Sequence, residues 1–356
     1  MQGPVTIKRR LSLKRRVLFA GIVVLSPVLA LLLLEGGLRV YFFAKYHEAG
    51  RSYGLWTSHP KLGAIHMAHG YNSTGVTNDQ GFRNMEDVLE PRPPGALRVI
   101  ACGGSTTFCY DIHSTKAWPI CLQETLRARR PGGEHDQVLN AGAVMWSISH
   151  VFARAELDVP RLKPDYVILY SGINEVFNER FLRQEGLELE SLVASRRFGV
   201  FAKSYPQNSW WNRNSLAYKA ISERILTPLA SLGSRETASD ASNAWPTEPI
   251  PALLENYLEV LRRFLELVRA QGGTPIFVVQ ISGRDTQMNR YLVSYSREGA
   301  KLANALGAVV VDPSPILQGP EQATLFSASG VHYSELGSRR LAEHLYEAVF
   351  TDALPR

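Results

Sequence analysis

After residue 94 the chain alternates between short apolar runs and longer stretches of helical periodicity. Leu97 to Gly104 (LRVIACGG) is a short run, apolar apart from Arg98, the pattern of a strand buried on both faces. Four more runs follow: QVLNAGA from Gln137, DYVILYSG from Asp165 to Gly172, TPIFVVQIS from Thr274, and AVVVDPS from Ala308. Between them lie amphipathic segments: Thr115 to Arg130, Ser149 to Leu162, Leu253 to Gly273 with a closing Gly-Gly, and Arg290 to Leu306. A last helix is predicted from Ser338 to Phe350. Strands separated by helices in this rhythm predict an α/β fold, a parallel sheet of about five strands with helices on both faces. Such a sheet binds ligands at the carboxyl ends of its strands.

The first 94 residues read differently. Val17 to Leu34 carries no charge and is interrupted only by Ser26 and Pro27, which predicts a transmembrane helix. A cleaved signal peptide is the competing reading. The run is longer than a usual apolar signal core, and no clear small-residue cleavage site precedes Glu35, so an uncleaved signal anchor is favoured. Residues 1–16 form a basic tail, 17–35 the anchor, and 36–94 a membrane-proximal helical stalk followed by a strand-and-loop segment ending in PRPPG. Residues 95–356 form the α/β domain. Within it the rhythm breaks over 178–251, an insertion rich in aromatics (Phe198, Phe201, Tyr205, Trp210, Trp211, Tyr218) that follows the third strand. From that place it could serve as a lid or substrate-binding cap, or be a surface excursion without a role.

The formal charge is +6, but Lys8, Arg9, Arg10, Lys14, Arg15 and Arg16 all precede the apolar run. Without them the chain is close to neutral, and no basic stripe remains to bind a nucleic acid. The same cations place the N-terminus in the cytoplasm and the remainder in the periplasm or outside the cell. The three cysteines fit an oxidising compartment without requiring one. Cys109 and Cys121 could pair, whereas Cys102 reads as a small buried hydrophobe. No cysteine and histidine spacing suits a metal, and no cofactor is implied.

Four short motifs stand after strands or before the last helix. In GGST, Ser105 follows two glycines at a strand end, where glycine permits unusual backbone angles and close approach of a substrate. The helical segment after it offers N–H groups to developing negative charge. NAG (Asn140 to Gly142) could offer the Gly142 N–H to an oxyanion, or be a simple turn. SGINE (Ser171 to Glu175) supplies Asn174, a neutral amide donor that suits an oxyanion hole, or else a helix cap. GVHYSELG (Gly330 to Gly337) places His332 in a loop, where a base can reach a serine on another loop, and Ser334 as the cap of the last helix.

Ser, Gly, Asn and His in that order resemble the SGNH hydrolases, also called GDSL-like esterases, over Leu97 to Phe350. LLEGGLR after the apolar run, TNDQGFRN (Thr77 to Asn84), Trp118-Pro119 and KPDYVILYSG are similar to a membrane-anchored branch of that family. The resemblance implies a flavodoxin-like three-layer sandwich and an acyl-transfer chemistry. Ser105 would be nucleophile, His332 general base, and the Ser105 N–H, Gly142 N–H and Asn174 side chain the oxyanion donors. Three positions depart from the family pattern. Gly104 stands for an aspartate in the first block and Glu175 for one in the third. Ser329 stands where an aspartate usually precedes the histidine by three residues. Ser329 or a backbone carbonyl could orient the ring, and Asp312, at the end of the fifth strand, is a substitute acid or merely a turn cap.

These features imply an extracytoplasmic serine esterase or acyl (acetyl) transferase. Its expected partners are the membrane, through the N-terminal helix, and an acylated small molecule or polysaccharide. The alternative is a catalytically weak glycan-binding or scaffold protein of an envelope assembly, motivated by the vacant acid position and the anchor.

Overall fold

The computed structural model describes residues 12–46, 52–59, 62–72, 74–177, 215–221, 249–283, 287–318, 324–328 and 330–351. They fall into two compact units, Met1–Gly50 with Pro206–Thr237, and Arg51–Tyr205 with Ala238–Arg356.

In the first unit, helix α1 (Leu13–Tyr46) contains the apolar run and continues through the stalk. The most apolar 18-residue window of its stretch Leu13–Tyr41 has a mean hydropathy of 2.9 and holds no buried residue, so the helix is long and apolar enough to cross a membrane. Glu35 does not break the helix, because Arg39 one turn on pairs with it at 2.7 Å. Its other oxygen accepts from Ser215 Oγ (3.0 Å) and Ala217 N (2.8 Å), ahead of a short helix Leu216–Ile221. This helix carries Tyr218; the rest of the insertion's aromatics lie outside the described residues.

In the second unit, β1 (Ser52–His59), β2 (Gly63–Asn72) and β3 (Gly75–Val76) form an antiparallel ribbon. The five predicted strands are β4 (Arg98–Gly103), β5 (Gln137–Asn140), β6 (Tyr166–Tyr170), β7 (Thr274–Val278) and β8 (Val309–Val311). They pair in the order β5-β4-β6-β7-β8, all parallel. This is the flavodoxin-like arrangement, and it puts β4 and β6, whose ends carry Ser105 and Asn174, side by side.

Alternate residues of each strand enter two cores. Ile100, Leu139, Leu169 and Phe277 face α4 (Ile148–Leu162) and the later helices Pro251–Ala270 and Gln287–Ala305, through residues such as Val151, Val159, Leu261 and Phe264. Val99, Val138, Ile168 and Ile276 face α3 (Trp118–Arg129) and the C-terminal helix Glu335–Leu345 through Trp118, Leu122, Leu341 and Leu345. Apolar burial on both faces is why these strands read as continuous hydrophobic runs. The last helix starts earlier than predicted. Ser334 Oγ accepts the Gly337 N–H, so the cap itself sets the start at Glu335. All three cysteines are buried and free. Burial pushes the Cys109 thiol up to about 11 and the Cys121 thiol to about 12, and each sulfur lies against a backbone carbonyl.

Candidate active site

Two glycines let β4 turn beneath a crowded roof. A Cβ on Gly103 would stand 2.2 Å from Thr107 Oγ1 and from the Tyr170 carbonyl oxygen, and a Cβ on Gly104 would stand 2.3 Å from Asn174 Nδ2. Gly104 has φ −85°, an angle open to any residue, so room rather than backbone freedom requires the glycine. An aspartate in this place, as the family pattern has it, would collide with the Asn174 amide. Ser105 then opens a helical turn, α2 (Ser105–Phe108), and is itself 6 % exposed. Its N–H is at the first helical position, where no partner exists within the helix.

Ser105 Oγ lies 2.9 Å from His332 Nε2. On the other side of the ring, His332 Nδ1 lies 2.9 Å from Asp111 Oδ2. With a proton on Nδ1 donated to the carboxylate, Nε2 is free to accept the serine proton. Ser327 Oγ donates to the same Asp111 oxygen and steadies it. The Tyr110 ring stands 6.0 Å from the imidazole. The carboxylate beside His332 is therefore that of Asp111 and not that of Asp312. Asp312 Oδ1 accepts from Ser314 N (2.9 Å) and Ser314 Oγ (2.6 Å) and so caps the turn after β8, the second of the two readings given to it. Ser329 lies outside the described residues. Asp111 comes from the same loop as Ser105, six residues after it, with Cys109 in the left-handed region (φ 60°) turning the chain back between them.

On the oxyanion side, Asn174 is 2 % exposed and donates one amide hydrogen to the Trp146 carbonyl at 2.7 Å. This fixes the amide plane against Gly104 and leaves its second hydrogen beside the serine turn. Gln280, buried beyond the end of β7, accepts from the Ile173 N–H at 2.8 Å and donates to Thr106 Oγ1 at 3.0 Å, tying the Asn174 turn to the Ser105 turn. Gly142 packs on the same turn, where a Cβ would stand 2.3 Å from Phe108 N. Its N–H, however, is already given to Asn140 Oδ1 at 3.0 Å. Serving an oxyanion would require that local bond to be exchanged. No group of three or more His, Cys, Asp or Glu arranged to hold a metal occurs among the described residues.

The profile of the GDSL-like Lipase/Acylhydrolase family matches residues 101–340, which takes in the Ser105, Asn174 and His332 segments. The chain belongs to this family. Its members are ester-bond hydrolases. Comparison with curated proteins gives no match. Among solved structures the chain is similar to an α/β hydrolase enzyme, LAE5, from the metagenome of Lake Arreo, Spain (18% identity, 71% of this chain and 94% of that one, TM-score 0.46). It is also similar to a lipolytic G-D-S-L protein of Veillonella parvula DSM 2008 (14%, 72% and 100%, TM-score 0.44) and to the acetylxylan esterase Axe2 of Geobacillus stearothermophilus (16%, 73% and 96%, TM-score 0.45).

Where this acylhydrolase departs from the pattern at Glu175, the longer side chain points into the interior. Glu175 Oε1 accepts the Ile148 N–H that starts α4, while Oε2 has no partner among the described residues. Burial raises its carboxyl to about 7. A folded-state value above the unfolded one means stability is full below pH of about 4.5 and is lost as pH rises through about 7. Glu175→Gln keeps an acceptor for Ile148 and removes the titration. It is expected to gain about 1–3 kcal/mol over wild type at pH 8 and much less at pH 5. Urea denaturation at the two pH values measures this, and an equal difference at both would refute it.

Proposed function

We propose that this protein is a membrane-anchored, extracytoplasmic serine esterase or acyl transferase that cleaves ester-linked acyl groups, with carbohydrate as the favoured carrier. The observation that supports it most is the relay of Asp111, His332 and Ser105, with both contacts at 2.9 Å. In the first step Ser105 Oγ attacks the ester carbonyl as its proton passes to His332 Nε2. The ring becomes an imidazolium facing the Asp111 carboxylate, and negative charge grows on the former carbonyl oxygen near the Ser105 N–H and the Asn174 amide. Collapse expels the alcohol, which takes the proton from Nε2 and leaves an acyl-enzyme. Water or an acceptor hydroxyl then loses its proton to Nε2, attacks the acyl carbon and frees Ser105. Hydrolysis and transfer share this intermediate and differ only in the second nucleophile.

The reading of the carrier as carbohydrate rests on the aromatic composition of the 178–251 insertion, since aromatic faces offer apolar platforms to sugars. The scaffold alternative drew on the vacant acid position and on the anchor, and Asp111 beside His332 speaks against the first of these. Turnover of p-nitrophenyl acetate by the purified protein, lost in Ser105→Ala, tests the enzymatic reading. A folded wild type without turnover on acetyl esters would count against it.

The anchor reading draws on α1 and on the cations before it. A reporter active only outside the cytoplasm, fused after Arg51, is expected to be active. A cytoplasm-specific reporter that works at the same junction would reverse the topology.

A further inference from the structure

Arg83 lies in the TNDQGFRN segment, remote in sequence from every residue of the relay, and is fully buried. Burial lowers its guanidinium to about 10, and no carboxylate pairs with it among the described residues. An unpaired buried cation is costly unless its donors are well used. Here Nη1 donates to the carbonyls of Phe108 and Cys109 and Nη2 to those of Ile112 (2.9 Å) and Thr74 (2.8 Å), while Nε has no partner among the described residues. The guanidinium carbon also stands 3.9 Å from the centre of the Phe108 ring. Three of the four carbonyls bracket Asp111 on both sides. The loop from Ser105 to Ile112 is thus wound around a guanidinium, with Cys109 and Tyr110 N–H groups returning to the Ser105 carbonyl.

The neighbouring bonds extend the tie. The Arg83 N–H donates to the Asn140 carbonyl at 2.9 Å, and Asn84 exchanges bonds with Val138 and Asn140. The Arg83-Asn84 pair therefore holds both the Asp111 loop and the end of β5. We propose that Arg83 is a positioning residue for the acid: its planar fork fixes the backbone on both sides of Asp111 so that the carboxylate meets His332 Nδ1. The inference rests on Asp111 being the acid of the relay. Arginine suits the place because its donors leave in fixed directions from one plane, whereas a lysine ammonium is a single point that cannot reach both flanks of the loop equally.

The test is a double-mutant cycle on the full-length protein in detergent, with p-nitrophenyl acetate as substrate. Arg83→Met is expected to lower kcat by about 10- to 100-fold with KM within about threefold, and Arg83→Lys to recover part of that loss. In an Asp111→Asn background, Arg83→Met should cost less than about twofold more, because the acid it positions is already gone. An Arg83→Met loss in that background as large as in wild type, or an unchanged kcat in the folded single variant, overturns the proposal. Should Arg83→Met fail to give a native circular dichroism spectrum, Arg83→Lys takes its place in the cycle under the same criteria. Unfolding of both variants overturns the positioning role in favour of a purely structural one. If Asp111→Asn alone keeps wild-type kcat, the acid assignment itself has failed, an outcome the cycle separates from failure of the Arg83 coupling.

Discussion

Asp111→Asn is expected to lower kcat on p-nitrophenyl acetate by about 10²- to 10⁴-fold with little change in KM. When Ser105 gives its proton to His332, the ring becomes a cation, and the carboxylate 2.9 Å away is the group placed to stabilise it. An amide has no charge to offer, and its NH2 end would drive the imidazole toward the tautomer that cannot accept the serine proton. In a serine-protease triad the same change costs about 10⁴. Here the Asp111 side chain is 29% exposed, so water can solvate part of the imidazolium, and the lower half of the range is expected. Asp312→Ala, which removes only a turn cap, should leave kcat within about twofold. Collapse of Asp312→Ala turnover together with a near-normal Asp111→Asn would reverse the assignment.

Ser105→Ala should have the largest effect, a loss of kcat of about 10⁵- to 10⁶-fold, of the size seen when the nucleophile of another serine hydrolase is removed. His332→Ala should fall nearly as far, and the double variant should be no worse than either alone, because the pair acts as one unit. Additive losses would mean that the two residues contribute separately. Neither substitution touches the cores, so melting temperatures should stay close to wild type.

Much of this arrangement is legible in the sequence for a physical reason. The strands buried on both faces show as apolar runs such as VIAC and YVILY, and their alternation with helices fixes a parallel sheet. The placement of Ser105, Asn174 and His332 follows from the strand or helix each adjoins. What stays hidden is whatever depends on a loop folding back. Asp111 sits in TTFCYDI, which has no periodicity to mark it. Its approach to His332 needs the left-handed turn at Cys109 and the guanidinium of Arg83 arriving from the Thr77–Asn84 segment. Gly104 illustrates the same gap. The sequence shows a glycine where the family has an aspartate, but only the structure shows that the Asn174 amide fills that space. Helix α1 runs on past Glu35, whose carboxylate pairs with Arg39 and accepts hydrogen bonds from Ser215 and Ala217.

The central claim is that Ser105 is a nucleophile activated by His332 and Asp111. Reaction of the purified protein with a fluorophosphonate probe, followed by intact-mass measurement and peptide mapping, tests it most directly. Wild type should gain a single adduct on the peptide containing Ser105, Asp111→Asn should gain it more slowly, and Ser105→Ala should gain none. A folded wild type that stays unlabelled, or a Ser105→Ala protein labelled as fast as wild type, would contradict the account.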